Sequence, residues 1–321
     1  MHNIDLSNFN IRTDLVIDDE SLIHDEVEID NIKVTTTKNN GNYITIAFDD
    51  ITDFNNREEV GKQLEKMLKK ILKLNNIKEN DSCLIIGLGN RLSTPDSLGV
   101  NTLNNIIVTN HLFKLGEVKK GIRRVSTMAP GVLAQTGIES FTIIDAIIKE
   151  TKPDFVIAID ALASKNIDRL NKTIQLTDTG IHPGSGVGNN RIEISEKTIG
   201  IPVIAVGVPT VTSSVTIVYD TINYLFKHIA YLKNHDEENY LPNYKERLKT
   251  EKISDEDRNN LLGIYGTLKD SEKRDLINEV LTNTELNLIV TSTEIDFLIE
   301  KLGNLIASSI NNALHRQINH F

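Results

Sequence analysis

Two aspartates in this chain stand where apolar, strand-length runs give out. Asp96 lies in "GLGNRLSTPDSLG", the loop that leaves the run "SCLIIGLG", and Asp160 closes the run "FVIAID". Two carboxyl groups brought close together resist simultaneous ionisation, so one keeps its proton while the other stays charged. Such a pair can activate water with the charged member and protonate a departing amine with the neutral one, and the two titrate as a unit. Each also has a plainer reading. Asp96 could cap a helix beginning at "SLGVNTLNNIIV", and Asp160 one beginning at "ALASKNIDRL".

A third aspartate carries a more familiar signature. Asp178-Thr179-Gly180 in "TDTGIHPGSGVGNN" is the tripeptide of pepsin-like and retroviral aspartic proteases. Those enzymes need two such loops meeting about an axis on an all-β scaffold, and this chain has one copy on a different background. The surrounding string is dense in turn formers, so Asp178 reads as a turn residue whose carboxylate bonds backbone amides.

Other chemistries find less support. "GLGN" lacks the remaining glycine of a dinucleotide fingerprint, and "GSGVGNNR" lacks the Lys-Ser/Thr of a phosphate loop. Gly184, Gly186 and Gly188 instead suit a backbone that approaches a substrate closely. His182 could join Asp96 and Asp160 as a ligand or proton carrier, although a lone loop histidine is more often structural. No H-E-x-x-H is present, and the serines of "VTSSV" have no G-x-S-x-G elbow. Cys83 is the single cysteine and lies in an apolar run, which favours packing over nucleophilic duty and a reducing compartment.

The elements that must position these residues follow from periodicity. Apolar runs at "SCLIIGLG", "FVIAID" and "PVIAVGVPT" alternate with helix-like segments such as "ESFTIIDAIIKET", which predicts strands buried on both faces of a mostly parallel sheet. The fold class is thus α/β, with reactive groups collected at the carboxyl ends of the strands. Before it, "EIDNIKVTTT" and "NYITIAFDD" predict a small extra β region, and "REEVGKQLEKMLKKILKLNNI" an amphipathic helix with Val60, Leu64, Met67, Leu68, Ile71 and Leu72 on one face. A polar connector runs from about residue 236, and Ile295, Leu298, Ile299, Leu302, Ile306 and Ile310 form the stripe of a C-terminal helix that packs on the core.

The 321 residues carry a formal net charge of −10, so the surface as a whole repels nucleic acid. No signal-peptide pattern opens the chain and no apolar run is long enough to span a bilayer, so a membrane partner is not expected.

The ordered motifs "IRTDL", "GLGN" with "TPDSLG", "APGVLAQTGIES", "DFVIAIDALAS", "TIQLTDTGIHPGSGVGNNR" and "TIGIPVIAVGVPTV" together resemble the germination protease family of spore-forming bacteria. The resemblance implies an atypical aspartic endopeptidase that degrades small acid-soluble spore proteins in the spore core, works without a cofactor or metal, and has a three-layer α/β/α fold similar to hydrogenase maturation proteases. It places the essential pair on Asp96 and Asp160 and leaves Asp178 outside that pair; His182, Asp178 and Asn90 are candidate supporting residues. It also implies a homotetrameric zymogen that removes its own N-terminal segment. That segment spans about residues 1 to 18 here, with Arg12, Asp14 and Asp18 near the junction and the catalytic α/β region running from 19 to about 235. This chain departs from the pattern at Asp19, where a small residue is usual, at Val100, where proline is usual, and at Ala134, where glycine is usual.

Overall fold

The computed structural model of this protein describes residues 14–17, 21–116, 118–184, 192–234, 248, 251, 254, 259–260 and 262–316. A meander comes first: β1 (His24–Ile29), β2 (Ile32–Lys38) and β3 (Asn42–Ala47). Helix α1 (Phe54–Leu74) follows, then β4 (Cys83–Gly87), a 3-10 turn (Thr94–Asp96), α2 (Leu98–Leu103), α3 (Asn110–Leu115) and β5 (Val125–Met128). The chain continues through α4 (Leu133–Thr136), α5 (Ser140–Thr151), β6 (Phe155–Ser164), β7 (Thr173–Thr177), α6 (Glu196–Ile199) and β8 (Val203–Ser213). Last come α7 (Ser214–Asn234), α8 (Ile264–Thr267), α9 (Asp270–Asn283), β9 (Ile289–Val290) and α10 (Ile295–Leu314).

These elements form two compact units. The larger contains residues 1–164, 168–211 and 291–321, and the smaller residues 165–167 and 212–290.

The sheet runs β1-β2-β3-β7-β8-β6-β4-β5, with β9 added to the end of β8. Its parallel part lies at the β5 end. β4 pairs in parallel with both β5 and β6. β8 starts beside β6, where the Val156 N–H donates to the Pro202 carbonyl over 2.9 Å. The meander joins through the antiparallel pairs β3–β7 and β7–β8. Every residue of β4 and β7 is buried, as continuous apolar or β-branched runs require of strands covered on both faces.

Alternation along the strands sorts the core into two layers. Cys83, Ile85, Phe155, Ile157 and Ile159 face a cluster built with α1 and α10. Leu84, Ile86, Val156 and Ala158 face one built with Ile144 and Ile148 of α5. The larger unit is therefore a three-layer α/β/α arrangement, and each fully buried Leu or Ile stabilises it by about 1.5–3 kcal/mol. Helix α1 starts where the Asp53 carboxylate accepts from the Asn56 N–H at 2.7 Å and ends where Asn76 turns to φ +56°. Helix α10 lies against α1, α2 and the 3-10 turn. Asn311 fastens it there, accepting from the Ile107 N–H at 2.9 Å and donating to the Asn105 carbonyl at 2.9 Å.

Within the smaller unit α7 packs on α9. Arg274 stacks over the Tyr219 ring at 3.9 Å, and the Asp220 carboxylate accepts from the Ile167 N–H at 2.8 Å.

Three local features differ from the sequence expectations. β6 does not end at Asp160 but continues to Ser164, so no helix begins there and the capping role has nothing to cap. The piece "EIDNIKVTTT", expected simply as part of a small β region, contains a hairpin turn, with Asp30 and Asn31 at φ +47° and +64° between β1 and β2. The third is β7, a central strand made of "TIQLT", which leads directly into Asp178.

Candidate functional site

Asp96 sits at the end of a turn folded back on itself after β4. The Asn90 N–H donates both to the Asp96 backbone carbonyl at 3.0 Å and to its Oδ2 at 2.8 Å, and the Asp96 N–H donates to the Ser93 carbonyl at 2.9 Å. Gly89 makes the fold-back possible: its φ is +105°, and a Cβ there would collide with the Asp96 carbonyl. From β8, the buried Thr210 hydroxyl donates to the Pro95 carbonyl at 2.6 Å. Ser97, not Asp96, occupies the cap position of α2. The Asp96 carboxylate thus serves the loop before it rather than the helix after it.

Asp160 lies in β6, next to β4, and is 4% exposed. Its Oδ1 accepts from the Ala161 N–H at 2.9 Å. The two carboxylate-bearing segments meet through the backbone: the Leu88 N–H donates to the Ile159 carbonyl at 2.8 Å, extending the β4–β6 pairing to the residue before Asp160. Gly99, three positions after Asp96, presses on the same spot, with the Ile159 carbonyl and the Leu88 backbone lying where its Cβ would be. Asp96 therefore lies in the loop past the carboxyl end of β4, and Asp160 lies within β6, one residue beyond the last β4–β6 pair.

Asp178 lies elsewhere in the sheet, beyond the end of β7. Its Oδ1 accepts from the Asn42 N–H at 2.7 Å, and its Oδ2 accepts from Asn42 Nδ2 at 2.5 Å and Asn75 Nδ2 at 3.1 Å. It ties the meander to the end of α1, so its bonds reach across the fold rather than to the amides of its own turn. His182 is exposed, with Nδ1 4.0 Å from Glu193 Oε1. No group of three His, Cys, Asp or Glu side chains suited to a metal ion occurs among the described residues. Gly184 has φ +68°, while Gly186, Gly188, Arg12 and Asp18 lie outside the described residues.

Asp14 is described and buried, its Oδ2 3.2 Å from Arg169 Nη1. Beside it the Leu15 N–H donates to Gln175 Oε1 at 2.7 Å, and the Leu15 side chain joins the α5 side of the core. Cys83 starts β4, at the opposite end from Asp96, and burial pushes its thiol far above the ordinary range, which keeps it un-ionised and inert.

Sequence reasoning passed over Thr210 and Gln135. Gln135 Nε2 donates to Asn90 Oδ1 at 2.6 Å from the exposed helix α4. The glycine-flanked motif around Gln135 was visible in the chain, but its partner was not.

The family model described as germination protease matches residues 5–320. A germination protease from Geobacillus sp. (strain WCH70) is 43% identical over 360 aligned positions, covering 98% of this chain and 96% of the relative. One from Bacillus thuringiensis subsp. konkukian (strain 97-27) is 43% identical over 353, with the same coverage. Among solved structures, a NiFe hydrogenase maturation protease from Thermococcus kodakarensis KOD1 aligns over 45% of this chain and 80% of its own, at 15% identity and a TM-score of 0.26. With a family match that spans nearly the whole chain and relatives that align end to end, this protein belongs to the germination proteases, a family of peptidases.

Proposed function

We propose that this peptidase is an aspartic-type endopeptidase whose reacting groups are Asp96 and Asp160. The observation that supports this is the bond from the Leu88 N–H to the Ile159 carbonyl, which joins the loop that carries Asp96 to the strand that carries Asp160. Asp96 is half-buried, accessible to water, and held as an acceptor by the Asn90 amide, which suits the base that takes a proton from water. Asp160 is almost fully enclosed, which suits the member that carries the proton to the departing amine. The peptide carbonyl carbon gains the hydroxide oxygen, its C–N bond breaks, and the nitrogen leaves with the Asp160 proton. The carboxylates end with their roles exchanged, and bulk water resets them.

The substrates in this reading are small acid-soluble spore proteins, cleaved as extended chains in the spore core during germination. The net charge of −10 fits an enzyme that attacks DNA-bound proteins without competing for the DNA. The protein is made as a homotetrameric zymogen that removes its own N-terminal segment. The segment's last turn is anchored by Asp14 and Leu15, so cutting and release are separate events.

The test incubates wild type, Asp96→Asn and Asp160→Asn with a small acid-soluble spore protein, with and without a chelator. Cleavage by wild type alone, unaffected by chelator, is expected. Chelator-sensitive cleavage would instead assign the chemistry to a metal ion, and full cleavage by either variant would remove that aspartate from the mechanism.

A further inference from the structure

Asn90 makes more contacts than a loop residue needs. Its N–H holds the Asp96 carboxylate at 2.8 Å, while its own side-chain oxygen accepts from two donors, the Leu92 N–H at 2.9 Å and Gln135 Nε2 at 2.6 Å. The backbone donor fixes which side-chain atom of Asn90 is the oxygen, and that in turn fixes Gln135 as the donor.

Gln135 comes from a segment with its own internal framework. The Gly137 N–H returns to the Leu133 carbonyl at 2.8 Å, Thr136 Oγ1 donates to the Ile138 carbonyl at 2.9 Å, and Ser140 Oγ donates to the Gly131 carbonyl at 3.0 Å. A self-braced loop after β5 thus grips the loop after β4 at Asn90, whose amide holds the Asp96 carboxylate. Resting on the proposed role of Asp96, we infer that Gln135 is a positioning residue for the reaction, acting through Asn90 to hold the Asp96 carboxylate in its working orientation.

The bond is solvent-exposed, so its removal should leave the urea midpoint of unfolding essentially unchanged. Its effect belongs in the chemical step, where a displacement of an ångström lowers rates steeply. Gln135→Met keeps the length of the side chain and deletes the donor, and Gln135→Lys restores a donor.

Measured on a small acid-soluble spore protein across pH, Gln135→Met is expected to lower kcat on the order of tenfold with KM within about twofold of wild type. The acid limb of its kcat profile should move, and Gln135→Lys should recover most of the loss. A Gln135→Met enzyme with wild-type kcat, a loss confined to KM, or a Gln135→Lys enzyme no better than Gln135→Met would each overturn the inference. Asp96→Asn separates the two levels. If it is inactive while Gln135→Met is unaffected, only the role of Gln135 falls; if it cleaves normally, the role of Asp96 falls and the inference with it.

Discussion

The Leu88 amide and the Ile159 carbonyl, 2.8 Å apart, join the loop after β4 to the strand that carries Asp160. Gly99 fits over this junction only because it has no side chain. Gly99→Ala would force a methyl group into backbone that cannot yield. It should lower stability by about 1–3 kcal/mol and reduce kcat with it. Gly61→Ala is the comparison, since a Cβ there meets only the Ser309 hydroxyl at 3.8 Å; it should be neutral or stabilising by up to about 1 kcal/mol. Urea denaturation of both variants checks the contrast.

Asp178 makes three hydrogen bonds to two asparagines that lie far away in the chain, so its removal should be felt in stability and not in chemistry. Asp178→Ala strands those donors and should lower unfolding free energy by about 1–3 kcal/mol. The folded fraction should keep wild-type kcat. A variant of normal stability that has lost kcat would give Asp178 a chemical part after all.

The Asp14–Arg169 pair is nearly closed to water on the aspartate side. Breaking it from either side removes a charge-assisted hydrogen bond of a largely buried pair, which costs about 1–3 kcal/mol. Asp14→Asn and Arg169→Met should each destabilise, and the double variant should lose less than the sum of the two. Strict additivity in that cycle would show that the pair contributes nothing jointly.

His315 is buried beside Arg123, whose N–H donates to its Nδ1 at 3.2 Å. Burial first, and the neighbouring guanidinium second, hold its pKa below the ordinary 6.5. The unfolded chain therefore takes up a proton that the folded chain refuses. This contribution is fully present above about pH 6.5 and is lost as pH falls from there through the folded-state value. Urea midpoints at pH 7.5 and 5.5 should differ less in His315→Gln than in wild type, and an unchanged difference would clear His315 of the effect.

Cys83 is fully enclosed at the start of β4, so iodoacetamide should leave it unmodified in the native protein and alkylate it once urea unfolds the chain. Mass spectrometry of the two samples reads the outcome directly.

Much of this arrangement was legible in the chain. The stripe of α1, the stripe of α10 and the runs that become β4, β6 and β8 are set by side-chain periodicity, which acts locally. β7 was hidden because Gln175 and Thr177 look like surface residues, yet both are fully buried, with the Gln175 amide serving Leu15. The β1–β2 turn was available in Asp30-Asn31, two residues that tolerate positive φ, but it sat inside an unbroken alternating stretch. That Asp96 follows one strand-length run and Asp160 sits in another followed from the same runs. The bonds that orient Asp96 did not, because Gln135 and Thr210 reach its loop at Asn90 and Pro95 from other parts of the chain, and hydrogen-bond partners leave no periodic trace.

Helix α10 packs on α1, on α2 and on the turn that ends in Asp96, although it is far from that turn in sequence. The turn therefore gains its full support only once remote stretches of the chain have come together, which makes its geometry a late product of folding.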